Sequence, residues 1–292
     1  MNPLPALPCY LNGEFTLLPD AKVSVLDRGF IFGDGVYEVV PVYGGQPFRI
    51  EHHMARLQRN LDELRINNPH SPDQWRAVID QLLIRFAASM DSAVAAIDQL
   101  IYIQVTRGIA LRDHAMPSDI CPTAFVMSNL LRPPTPAQRQ QGVACITAHD
   151  FRWEKAHIKS VSLLGAVLAR QLSADVGAVE TVMFRGDTLS EAASSNVWVV
   201  KEGRLLGSPR DNLVLEGVRY GLIEDICREK GIALELRPIS RPEVLCADEL
   251  ILSSATKEVL AITTLDGLPV GTGLPGPIYQ QLYAGYQSAK QR

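Results

Sequence analysis

The sequence holds no run of about 18 apolar residues, so no segment reads as a membrane-spanning helix. Cysteine is scarce and scattered. The five residues Cys9, Cys121, Cys145, Cys227 and Cys246 contain no Cys-x-x-Cys pair, which argues against a disulfide framework or a structural zinc site. Charge of one sign is also lacking: 28 Lys and Arg against 32 Asp and Glu leave a net charge of −4. No global basic field is present to hold nucleic acid or an anionic membrane. The opening stretch from Met1 to Glu14 lacks a basic segment followed by an apolar one, so no signal peptide is expected and a soluble, cytoplasmic protein is. Repeats and low-complexity tracts are absent. With 47% apolar and 21% charged residues, the 292-residue chain is that of a globular protein about two domains long.

Mixed α and β signals run throughout. Asn12-Gly13 reads as a tight hairpin turn, and residues 36–43 as a strand rich in β-branched and aromatic side chains. Met54, Leu57, Leu61 and Leu64 form a helical apolar stripe, and Ser71-Pro72-Asp73 starts a second helix. Strands are expected at 100–106, 123–128, 143–147, 181–184, 197–200, 250–253 and 259–265. Helices are expected at 160–175 and 218–230, the latter stopped by Gly231. The proline-dense Arg132-Pro133-Pro134-Thr135-Pro136 reads as a linker. The expected domains are therefore 1–130 and 137–292, joined through 131–136, with the lysine discussed next in the second.

Several segments carry candidate chemistry. Residues 27–38 (Asp27-Arg28-Gly29 through Phe32-Gly33-Asp34-Gly35 to Tyr37-Glu38) place three glycines and four charges between β stretches, the mark of a loop with special backbone angles. No Gly-Lys-Ser/Thr follows, so it is no phosphate loop, and a plain surface turn stays open. Lys159 sits among apolar residues at an expected helix start. It is either solvated or, held in apolar surroundings, an uncharged amine able to form a Schiff base. Glu191 is framed by small residues, as a cap carboxylate or as the partner of something flat. Arg56 is an exposed arginine or, on a buried helix face, an anion clamp. Leu215-Glu216-Gly217-Val218-Arg219 and Ser253-Ser254-Ala255-Thr256 are loop junctions whose N–H groups could cradle phosphate. Taken together, an imine-forming lysine, a carboxylate and phosphate-holding elements are the requirements of pyridoxal 5′-phosphate.

At these residues the sequence resembles the fold-type IV pyridoxal-phosphate transaminases, the family of D-amino-acid and branched-chain aminotransferases. The motifs are Asp27-Arg28-Gly29 with Phe32-Gly33-Asp34-Gly35, His53-x-x-Arg56-Leu57, Ile158-Lys159-Ser160, Glu191 with Ser195-Asn196, and Leu215-x-Gly217-Val218. The resemblance implies a two-domain α+β and α/β fold with the cofactor between the domains, and no metal. It implies that Lys159 is the Schiff-base lysine and proton shuttle, that Glu191 meets the ring nitrogen, and that Arg56 grips the phosphate. Backbone groups of Leu215, Gly217, Val218, Ser254, Ala255 and Thr256 would assist. Some members carry Thr where Arg219 and Ala255 stand. Branched-chain members carry a tyrosine where this chain has Leu164, so the sequence leans away from them.

Arg112-Asp113-His114 is similar to the Arg-x-His signature of D-amino-acid transaminases. There the pair from one subunit joins a tyrosine, here Tyr37, on the substrate α-carboxylate, which implies a homodimer with shared sites. The implied reaction moves the amino group of D-alanine or a similar D-amino acid to 2-oxoglutarate by ping-pong kinetics. Aminodeoxychorismate lyase, L-branched-chain or (R)-amine transaminase and a non-catalytic pyridoxal-phosphate carrier are the alternatives.

Overall fold

The structure is a computed structural model that describes residues 4–291. It divides into two compact units. One comprises the chain up to Leu131 together with Ile158–Leu163, the other Arg132–His157 together with the chain from Leu164 onward.

The first unit is built on a six-stranded antiparallel sheet, in the order β2-β1-β6-β5-β3-β4. Its strands are β1 (Pro8–Leu11), β2 (Glu14–Leu17), β3 (Gly35–Tyr43), β4 (Gln46–Pro47), β5 (Gln99–Thr106) and β6 (Thr123–Leu130). Its helices are α1 (Arg28–Phe32), α2 (Ile50–Glu63) and α3 (Pro72–Ser89). The Asn12-Gly13 turn forms as expected, with both residues at positive φ (48° and 103°) between β1 and β2. Along β5 alternate residues Ile101, Ile103 and Val105 are buried, the period of a sheet covered on one face. That cover is α2 and α3. Leu57, Leu61, Trp75, Ile79 and Leu82 pack there, each aliphatic side chain contributing about 2 kcal/mol by leaving water. Ser71 caps α3 in a reciprocal box with Gln74.

Within residues 27–38, expected as a loop, the chain also makes one helical turn. Asp27 accepts from the Gly29 N–H at its start, and Gly33 closes it in the left-handed conformation.

The second unit holds a nine-stranded mixed sheet. Eight strands run in the order β12-β11-β10-β13-β14-β7-β8-β9, and β15 pairs β14 at the side. The strands are β7 (Val143–His149), β8 (Glu180–Arg185), β9 (Thr188–Ala192), β10 (Asn196–Lys201), β11 (Arg204–Gly207), β12 (Leu234–Leu236), β13 (Glu249–Ser254), β14 (Glu258–Leu265) and β15 (Leu268–Pro269). The helices are α4 (Pro136–Gln141), α5 (Leu164–Asp175), α6 (Arg219–Lys230), α7 (Arg241–Leu245) and α8 (Pro277–Ala289). β8 and β10 are buried along nearly their whole length, which explains their unbroken apolar runs.

Two boundaries differ from expectation. The proline-rich stretch is only partly a linker: Thr135 caps α4, with Pro136 at the first helical position. Residues 158–163 pack with the first unit, so Lys159 belongs there by contact rather than to the C-terminal domain expected to carry it. The reason is local. Ser160 bridges Val36, the Val161 N–H donates to the Gly35 carbonyl, and Ile158 enters the first unit's core. This extended segment also delays the helix expected from residue 160, which begins at Leu164.

Candidate active site

In the first unit, Lys159 is positioned by β3. The Tyr37 N–H donates to the Lys159 carbonyl at 3.0 Å, and the Lys159 Nζ lies 3.9 Å from the centre of the Tyr37 ring. Among the described residues of its unit the amine meets only that aromatic face, with no carboxylate or hydrogen-bond partner. Tyr37 also lies 5.8 Å from Tyr102, whose hydroxyl donates to Gln104 Oε1 at 2.6 Å. Burial, then the Tyr37 hydroxyl, pushes the Tyr102 hydroxyl up to about 12.

Arg56 is on a buried helix face and does clamp an anion, but the anion it holds here is Glu38. Its Nε donates to Glu38 Oε1 at 2.7 Å and its Nη2 to Oε2 at 2.8 Å, while His53 Nδ1 lies 2.7 Å from the same Oε2. Burial alone would raise the Glu38 carboxyl. The Arg56 guanidinium, helped by His53, instead holds it well below the usual carboxylate range.

Arg112 and His114 lie on the segment between β5 and β6, both exposed and both against Phe32. The Arg112 guanidinium is 5.4 Å from that ring's centre, and the His114 ring centroid also 5.4 Å. The other two arginines of this region are engaged. Arg107 gives Nε and Nη2 to Asp34 at 2.7 and 3.0 Å, and Arg28 gives Nε to Asp34 at 2.8 Å. Burial would raise the Asp34 carboxyl, but these two guanidinium groups draw it down. Among the described residues Arg112 forms no ion pair, which leaves its guanidinium open to an external carboxylate.

In the second unit, Glu191 lies near the end of β9, buried. Its Oε1 accepts from Arg152 Nη1 at 2.7 Å and, at 3.4 Å, from the Leu215 N–H, while Oε2 accepts from Asn196 Nδ2 at 3.2 Å. Desolvation raises the Glu191 carboxyl, and Arg152 partly offsets that rise. Arg152 is itself fixed by Asp150, which accepts from its Nε and Nη2 at 2.9 Å each. Burial acts against the Asp150 charge, but Arg152 brings that carboxyl down to about 2. Sequence reasoning missed Arg152. Its only local signal is Asp150 two residues earlier, while Glu191, the partner that matters to the site, lies 39 positions away.

Leu215, Gly217 and Val218 lead into α6, where the first N–H groups have no partner within the helix. Asn196 ties this approach to Glu191 by donating also to the Leu215 carbonyl at 2.8 Å. A Cβ at Gly217 would lie 2.3 Å from Asn196 Oδ1, so only glycine fits. Ser254, Ala255 and Thr256 form the turn from β13 to β14, where Ser254 Oγ accepts from the Lys257 N–H. Within the second unit, the buried Glu191 carboxylate and a helix start that admits only backbone at Gly217 suit the ring nitrogen and the phosphate of a pyridoxal group, and within the first the Lys159 amine suits an aldehyde.

The chain superposes on the branched-chain amino acid aminotransferase of Escherichia coli with a TM-score of 0.85, covering 97% of this chain and 94% of that one, at 23% identity. That likeness is one of fold. The chain is 35% identical over 282 residues to the D-alanine aminotransferase of Staphylococcus aureus, spanning 95% of this chain and 96% of the relative. It is 32% identical over 278 residues to that of Bacillus licheniformis, spanning 95% of each. Residues 35–265 match the class IV amino-transferase family, and the chain belongs to it. It is a pyridoxal-phosphate-dependent aminotransferase.

Proposed function

We propose that the enzyme transfers the amino group of D-alanine, or a similar D-amino acid, to 2-oxoglutarate, giving pyruvate and D-glutamate. The observation that carries this reading is Arg112, a guanidinium with no ion pair among the described residues, beside His114 in a chain 35% identical to a D-alanine aminotransferase over nearly its whole length. When bound, pyridoxal phosphate supplies an aldehyde for the donor amine and a ring that delocalises the electrons released at Cα.

The chain's residues do the rest. Lys159 would hold the cofactor through Nζ, and the same amine would serve as the base that accepts and carries the substrate Cα proton. Glu191, paired with Arg152, would accept from a protonated ring nitrogen. Arg56 and the N–H groups around Gly217, Val218 and Ser254–Thr256 receive the phosphate. Arg112 and His114, with Tyr37, hold the substrate α-carboxylate.

A homodimer is part of the proposal. Leu164, Val167, Leu168 and Leu172 leave an apolar stripe exposed along α5, continued by Val176 just past its end, the kind of surface a second subunit covers. Arg112 and His114 are exposed on their own protomer, as residues that serve a neighbour would be. A cytoplasmic location fits the free cysteines.

The test is pyruvate formation from D- or L-alanine with and without 2-oxoglutarate. Pyruvate from the D enantiomer, dependent on the acceptor, is expected. Turnover confined to L-branched-chain donors would overturn the reading, as would pyruvate released from aminodeoxychorismate without an acceptor. Lys159→Ala should abolish the absorbance band of the lysine-linked cofactor and lower turnover by at least about a thousandfold.

A further inference from the structure

The Asp27-Arg28-Gly29 and Gly33-Asp34-Gly35 motifs have no assigned role in the chemistry above, yet they hold some of the most buried charges in the first unit. Asp27 and Arg28 are 1% and 4% exposed. Their partners lie in the segment that carries Arg112 and His114. Asp27 Oδ2 accepts from the Thr106 hydroxyl at 3.0 Å and from the Thr123 hydroxyl at 2.7 Å. Thr106 ends β5 and Thr123 begins β6, so one carboxylate oxygen joins the two roots of the intervening segment. Arg28 reaches further out, where its Nη1 donates to the Asp113 carbonyl at 2.6 Å, between Arg112 and His114 in the chain. The Arg28 N–H donates to the Gly108 carbonyl, and its guanidinium lies 4.7 Å from the centre of the Phe32 ring that also meets Arg112 and His114. Asp34 completes the arrangement by pairing with both Arg28 and Arg107, and Arg107 is anchored to the Leu64 and Arg65 carbonyls.

We propose that Arg28, braced by Asp34 and Arg107, is a positioning residue for substrate recognition, holding the 107–122 segment so that Arg112 and His114 meet the α-carboxylate. The proposal rests on the reading of Arg112 and His114 as that site. Asp113 is the middle residue of the pair's segment. Fixing its carbonyl with a half-buried, charge-assisted hydrogen bond from a buried arginine limits where the flanking side chains can point without touching the substrate. An exposed segment without this tie would sample many orientations, and a two-point grip on a carboxylate is sensitive to displacements of about 1 Å. Phe32 adds a flat surface over which the Arg112 guanidinium rests before substrate arrives.

The experiment compares Arg28→Gln, Arg28→Lys and Arg112→Ala in the full-length, cofactor-loaded enzyme. Half-reactions are followed in the cofactor's absorbance with D-alanine and with D-alaninol, which lacks the carboxylate. Arg28→Gln is expected to raise the D-alanine concentration for half-saturation roughly tenfold, with the limiting rate changed less than about threefold and the D-alaninol reaction unchanged. Arg28→Lys, which keeps a charged donor, should recover part of that loss. Thermal melts check that the folded state persists, since Asp34 retains Arg107 as partner in each Arg28 variant. An unaltered D-alanine response in Arg28→Gln, or equal losses with both donors, would overturn the proposal. Arg112→Ala separates the two levels. A selective D-alanine defect there with Arg28→Gln silent refutes the tie alone, and a silent Arg112→Ala refutes the carboxylate site beneath it.

Discussion

Replacing Arg152 by Met keeps much of the stem's volume and removes the charge that faces Glu191. The pair is separated by 2.7 Å, with side chains 13% and 6% exposed, so water screens it weakly. Charge centres about 4 Å apart at an effective dielectric near 20 attract by about 4 kcal/mol. The variant regains part of this because Glu191, already raised by burial, takes up a proton instead of remaining an uncompensated charge. Asp150 keeps Arg185, at 3.2 Å, as a second partner, so its own loss is partial. A net destabilisation of about 3 kcal/mol follows, within the range for breaking a buried pair from one side.

The assay is urea unfolding of the cofactor-free chain in a double-mutant cycle of Arg152→Met, Glu191→Gln and both together. The expected coupling is roughly 2–3 kcal/mol. Pyridoxal-phosphate titration of the same four proteins should show weaker binding in Arg152→Met, because a protonated Glu191 no longer favours a protonated ring nitrogen. Additivity within about 0.5 kcal/mol would refute the pairing as an energetic unit.

Gly108 sits at φ +106°, where a Cβ would lie 2.0 Å from the Cys121 carbonyl oxygen. Gly108→Ala should therefore cost roughly 2–4 kcal/mol in a thermal or urea melt, and a loss below about 0.5 kcal/mol would contradict the geometry. Acid stability should divide by sign. Asp150, lowered from 3.8 to about 2, adds roughly 2 kcal/mol that is complete above pH 4 and lost as the pH falls towards 2, and Glu38 acts in the same direction. Glu191, raised above 4.5, works oppositely, costing stability as the pH climbs from 4.5 to its folded value. In urea midpoints taken between pH 2 and 7, Asp150→Asn should flatten the acid limb, and an unchanged limb would count against the Asp150 assignment.

Much of the local structure is legible in the sequence. The Asn12-Gly13 turn, the Ser71 cap and the Gly231 stop each act through the backbone preferences of one or two residues, and all three appear where expected. The apolar stripe Leu57–Leu61 identified the buried face of α2 for the same reason, since helical period alone determines it. The family was legible too, because its motifs combine residues close together in the chain. What Arg56 holds was not. Its partner Glu38 lies 18 positions upstream on a strand, and no period links a helix face to a neighbouring strand.

By itself the sequence determined the turns, caps, strand and helix periods and the residue types that suit pyridoxal phosphate. Only the tertiary structure decided that Lys159 packs with the first unit, that Arg152 charges the surroundings of Glu191, and that Arg28 ties down the segment bearing Arg112 and His114. The difference has one cause. Local conformation is set by steric and hydrogen-bonding choices within a few residues, whereas buried charges find partners by proximity in space, and those partners lie 39 and 85 positions apart here.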